Sequence, residues 1–75
     1  MRVLLDTHAF LWWLDGDRRL SLRARRVIGD GKNAVLEGDH RDPFDRMLIA
    51  QAQIEDLPLV TNETLFDDYG VTRLW

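Results

Sequence analysis

Three carboxylates in this chain, Asp6, Asp45 and Glu63, sit where chain logic can bring them to one edge, and a cluster of that kind does metal chemistry. Acids crowded together repel one another and resist ionisation unless a cation lies among them. Oxygen ligands that leave positions open suit Mg2+ or Mn2+, whose remaining sites stay hydrated. A hydrated ion of this kind generates a nucleophilic water and neutralises a phosphodiester during hydrolysis. Each acid also has an ordinary reading. Asp6 can end a strand by accepting from nearby backbone N–H groups, as Asp does in turns. Asp45 can answer a helix dipole beside Asp42, and Glu63 can be a surface acid. Their convergence, rather than any one of them, carries the metal reading.

The elements that must position these acids follow from the apolar pattern. Val3, Leu4 and Leu5 read as a continuous apolar strand, the kind parallel sheets bury on both faces. Asp6 then falls at its carboxyl end, where open α/β sheets place ligand sites. From His8 to Leu14, Phe10, Leu11, Trp13 and Leu14 recur at helical spacing, and Asp15-Gly16-Asp17 closes the run. Ser21 is placed to cap a second helix reaching Arg26 or Ile28, with Leu22, Val27 and Ile28 as apolar contacts and Gly29-Asp30-Gly31 as its stop. Ala34-Val35-Leu36 is a brief second strand. Asp42 as N-cap and Pro43 at the first helical position open a third helix, with Asp45 in its first turn. Phe44, Met47, Leu48, Ala52 and Ile54 give that helix an apolar side, ending near Asp56. A strand over Leu57 to Val60 comes next, with Pro58 confined to its start because it cannot donate to a ladder. Thr61 to Asp68 reads as a turn and short helix stopped by Gly70, and Val71 to Trp75 as a last strand. Right-handed crossovers make these strands parallel and gather their carboxyl ends on one edge.

Composition narrows the function classes. Seventy-five residues make one domain spanning 1–75, with a modest buried fraction that benefits from a staple. With no cysteine, neither a disulfide nor a thiolate metal site is available, which leaves a bound ion, a partner or a homodimer, the dimer being the default. A content of 45% hydrophobic and 31% charged residues is that of a globular domain without a membrane span, and the cytoplasm is the expected compartment. The net charge of −3 argues against nucleic-acid binding through overall charge. Arg18, Arg19, Arg23, Arg25 and Arg26 nevertheless hold five of the ten basic residues. They form either the solvated face of one helix or a local patch for phosphate. His8 and His40 lack metal-ligand spacing, there is no phosphate-binding loop or dinucleotide fingerprint, and Ser21 has no partner pattern for nucleophilic catalysis.

The same segments resemble a known family. Arg2-Val3-Leu4-Leu5-Asp6-Thr7-His8 followed by Leu11-Trp12-Trp13-Leu14 is similar to the opening of PIN-domain ribonucleases of the VapC toxin type. The run His40-Arg41-Asp42-Pro43-Phe44-Asp45-Arg46-Met47-Leu48-Ile49-Ala50-Gln51-Ala52 resembles the helix motif of that subfamily. Leu57-Pro58-Leu59-Val60-Thr61-Asn62-Glu63 and the ending Tyr69-Gly70-Val71 to Leu74-Trp75 are similar to its carboxyl-terminal portion. The resemblance implies a metal-dependent endoribonuclease, usually dimeric and inhibited by a cognate antitoxin. It implies a three-layer α/β/α PIN-like fold, for which a short parallel sheet of order 2-1-3-4 is expected. On its motifs, Asp6 is the first acidic ligand and Asp45, rather than Asp42, the helix acid. Glu63 stands where the family usually carries Asp. The resemblance puts Thr7 near the metal in support and has Thr61 orient the last acid.

The chain departs from that pattern in one place. Between Leu36 and His40 the family continues through helices that carry a further essential acid, and here they are missing. Glu37 is the acid beside the junction that can stand in, with Asp39 behind it. The expectation is therefore a compact PIN-like domain with Mg2+ or Mn2+ at Asp6, Asp45 and Glu63, acting on RNA with weakened or lost activity. The rival is an inactive module that dimerises or binds an antitoxin through the Phe10 to Leu14 helix. A decayed fragment with no selected function is the third possibility. Trp12, Trp13, Phe44 and Phe66 are the aromatics that the missing helices would uncover, with at least two of them expected in the core.

Overall fold

Val3, Leu4 and Leu5 have no room for a polar residue, because the strand they form is covered on both sides. A computed structural model describes residues 1–37 and 46–75. In it, β1 (Arg2–Leu5) is followed by α1 (Thr7–Asp15), α2 (Leu22–Gly29) and β2 (Ala34–Glu37). Then come α3 (Arg46–Ile54), β3 (Leu59–Val60), a 3-10 helix (Thr64–Tyr69) and β4 (Arg73–Leu74). The four strands form one parallel sheet, as the crossover argument expects, in the expected order β2-β1-β3-β4. Leu5 stands opposite Glu37 on one side and Val60 on the other.

Side chains alternate across this sheet, so one strand feeds two cores. Val3, Leu5, Val60 and Leu74 meet Ala9, Leu20 and Ala24 on the face covered by α1 and α2. Leu4 and Leu59 meet Leu48, Ala52 and Phe66 on the face covered by α3 and the 3-10 helix. Helices thus lie on both faces of the sheet. Each fully buried Leu, Val or Phe contributes about 1.5–3 kcal/mol from leaving water.

Local chemistry sets the helix ends. Asp6 caps α1 by accepting from His8 N–H, and Gly16 ends it at φ 64°, a left-handed turn in which glycine carries no Cβ penalty. The Gly16 N–H caps the carbonyls of Trp12 and Trp13. Ser21 caps α2 by accepting from Ala24 N–H at 3.0 Å.

Several sequence expectations shift. Leu22 and Ile54 are not core residues but are 71% and 84% exposed. Ile54 is six positions from Leu48, which turns it roughly 240° around a 3.6-residue helix and away from the sheet. Leu20 and Ala24 fill the α2 side in place of Leu22. The third strand shrinks to Leu59–Val60, because Pro58 has no N–H to add and offers only its carbonyl to Leu4 N–H, 2.9 Å away. The last strand is Arg73–Leu74, shorter than Val71 to Trp75, although Val71 is still buried. The expected opening of the third helix at Asp42 and Pro43, and Phe44 on its apolar side, lie outside the described residues. No helix among the described residues is long and apolar enough to cross a membrane.

Candidate active site at the carboxyl edge of the sheet

Asp6 leaves β1 at the centre of the sheet and is only 4% exposed. Burying a carboxylate is costly unless hydrogen bonds replace water, and two do so here. Oδ1 accepts from His8 N–H at 3.3 Å, and Oδ2 accepts from the Thr61 hydroxyl at 2.7 Å. Both bonds follow from the strand ends. The Asp6 N–H donates to the Val60 carbonyl at 3.1 Å, which carries the ladder one step beyond β1 and sets Asp6 beside the residue that follows β3.

Thr61 is that residue, fully buried and tied on several sides. Its N–H donates to the Leu74 carbonyl, its hydroxyl accepts from Glu63 N–H at 3.1 Å, and its carbonyl accepts from Arg73 Nη1 at 3.5 Å. With its single proton committed to Asp6, the hydroxyl has lone pairs for Glu63. Among the described residues, Asp6 and Thr61 are the buried polar side chains, and no buried side-chain nitrogen or oxygen lacks a partner. Thr61 thereby fixes the orientation of the first acid and the backbone of the third.

Glu63 lies on the same edge, with its backbone anchored on Thr61 and its side chain exposed. Thr7 is half-buried at the start of α1. Glu37 ends β2 opposite Leu5, so its backbone is one residue short of the level of Asp6. Asp39 and Asp45 lie outside the described residues, although α3 begins at Arg46 immediately after Asp45. Among the described residues, no three His, Asp or Glu side chains cluster closely enough to hold an ion. The donor chemistry nevertheless suits a hard cation. An ionised carboxylate has about four lone-pair sites, and among the described residues two donors meet that of Asp6.

The arginines divide into two groups. Arg19 pairs with Asp17 through Nη2 at 2.8 Å and Nε at 3.2 Å, and holds that carboxyl down at about 2 against its ordinary 3.8. Arg25 donates to the carbonyls of Asp17 and Leu20, bracing the turn between α1 and α2. Arg18, Arg23 and Arg26 are exposed.

An aromatic cluster assembled from both ends of the chain stands next to Asp6. The His8 ring stacks on Trp12 with centroids 5.8 Å apart and planes 24° apart. Trp75 meets Trp12 edge-on at 5.9 Å, and the Arg19 guanidinium lies 5.0 Å from the Trp12 ring centroid. The i, i+4 spacing of His8 and Trp12 was the available signal. Phe66 is core, whereas Trp13 is 41% exposed and lies against Gly29.

A cleft of about 430 Å3 opens at the opposite edge of the sheet, between Gln53, Asp56, Pro58, Tyr69 and Thr72. It shares no residue with the Asp6 edge. In comparison with known proteins, no family model matches the chain, and no curated protein or solved structure matches it.

Proposed function

We propose that this chain is a compact PIN-like domain of the VapC type that hydrolyses RNA phosphodiesters in the cytoplasm with Mg2+ or Mn2+. The observation that carries the reading is the buried Asp6 carboxylate at the carboxyl end of the central strand, bound at 2.7 Å by Thr61 from the neighbouring strand end. A surface turn needs no such investment. Asp6 and Glu63, joined by Asp45, would hold the ion, with Glu37 as the substitute for the missing family acid. When bound, such an ion supplies a water of lowered pKa and balances charge on the phosphodiester. Thr61 keeps Oδ2 of Asp6 in one orientation, and the exposed Arg18, Arg23 and Arg26 offer cations to the RNA backbone.

The deciding comparison is RNA cleavage in Mn2+ by this chain and by Asp6→Asn purified in parallel. Asparagine caps a helix about as well as aspartate, so the fold is expected to survive while the anionic ligand is lost. Activity should fall by a factor on the order of 10² or more. Millimolar Mn2+ should raise the melting temperature of the parent and not of the variant, because an ion that binds only the folded state stabilises it. Equal cleavage by both proteins would remove the enzyme reading.

A second reading draws on α1. Leu11, Trp13 and Leu14 are 47%, 41% and 63% exposed. An apolar helix face of this kind favours a module that pairs with a second copy or with an antitoxin, and this reading leads if the Asp6 comparison shows no difference.

A further inference from the structure

We infer that His8 is a stacking platform for an unpaired nucleobase, placed to hold a single-stranded RNA segment beside Asp6. The inference rests on the phosphodiester reading of the Asp6 edge, and it adds a residue that recognises the base rather than the phosphate. Three observations carry it. First, position: His8 is in the first turn of α1, and its own N–H contacts the Asp6 carboxylate. The ring is thus carried two residues from the acid, on the first turn of the helix that Asp6 caps.

Second, support: the indole beneath His8 is held from several directions. Trp75 closes on its edge, and Arg19 lies against the ring with its guanidinium anchored by Asp17. A platform backed by a fixed ring loses little freedom when a ligand settles on it. Third, exposure: His8 remains exposed although one ring face is stacked on Trp12. Planar, solvent-facing rings beside a phosphate-directed site take bases without much regard to sequence, because every base has a π-face. A duplex, whose bases are already stacked on one another, offers no free face to such a ring.

The test uses the full chain in EDTA, which stops metal-dependent cleavage, with tryptophan fluorescence as the readout. The probes are a tetrauridylate and its abasic counterpart of equal charge. The parent should bind the tetrauridylate and prefer it to the abasic probe. His8→Ala should lose about tenfold in affinity for the tetrauridylate and little for the abasic probe. His8→Phe should keep most of the base-dependent affinity, because it retains a ring and loses only the imidazole's hydrogen bonds. No binding by the parent, equal binding of both probes, or an unchanged affinity in His8→Ala would overturn the platform. Asp6→Asn separates the two proposals. If it cleaves as well as the parent while His8→Ala still loses base-dependent binding, the nuclease reading fails and the platform stands.

Discussion

Thr61 links two acids that the chain keeps far apart. Its hydroxyl donates to the buried carboxylate of Asp6 and accepts from the part-buried N–H of Glu63. Thr61→Val keeps the shape and removes both bonds, leaving a buried carboxylate oxygen short of a donor. We expect a loss of about 1–3 kcal/mol in urea unfolding, with Thr61→Ser recovering much of it. An unchanged midpoint for the valine variant would mean that Asp6 reorients freely and that its orientation is not set from β3. Asp6 itself was legible in the sequence, because a carboxylate ending an apolar run has few places to go in a parallel sheet. Its bond to Thr61 was not, since nothing local marks a contact spanning 55 positions. The Trp12 cluster escaped for the same reason, as it draws on residues from both ends of the chain.

The turn between α1 and α2 behaves as an element in its own right. Asp17 fixes Arg19 through its side chain and receives Arg25 on its carbonyl, so a short loop is braced from both flanks. The Asp17 carboxyl titrates at about 2, below its ordinary 3.8, chiefly because of the hydrogen bond from Arg19. A lowered carboxyl pKa adds stability that is fully present above the unfolded value and is lost as pH falls through the folded one. The advantage of the parent over Asp17→Asn should therefore hold at pH 6 and shrink between pH 4 and pH 2, read as urea midpoints. Added salt should reduce it as well, because the pair is open to solvent. A gap that stays constant with pH would assign the effect to loop geometry rather than charge. At this scale the sequence spoke clearly where a cap or stop residue carries the signal, as at Ser21 and Gly16. It misled at Leu22 and Ile54, because an apolar residue reads alike on every helix face until a neighbour decides which face is covered.

The whole molecule divides its apolar residues between two thin cores on either side of four short strands. Stability of about 0.05–0.15 kcal/mol per residue leaves a chain of this length little reserve. Phe66 is fully buried in the core beneath α3, and Phe66→Ala should cost about 3–5 kcal/mol, enough to leave much of the protein unfolded at 37 °C by circular dichroism. A loss below about 1 kcal/mol would show that this core collapses easily around the gap. The strand order has a further consequence in time. β1 precedes the other three strands of the sheet in the chain, yet it lies inside the sheet, and its partner β3 comes only at Leu59–Val60. Distant parallel pairings of this sort are slow to form, because a long loop must close before any contact rewards it. Asp6 is therefore made well before the Thr61 hydroxyl that holds it, and its carboxylate gains that partner only when β3 docks beside β1.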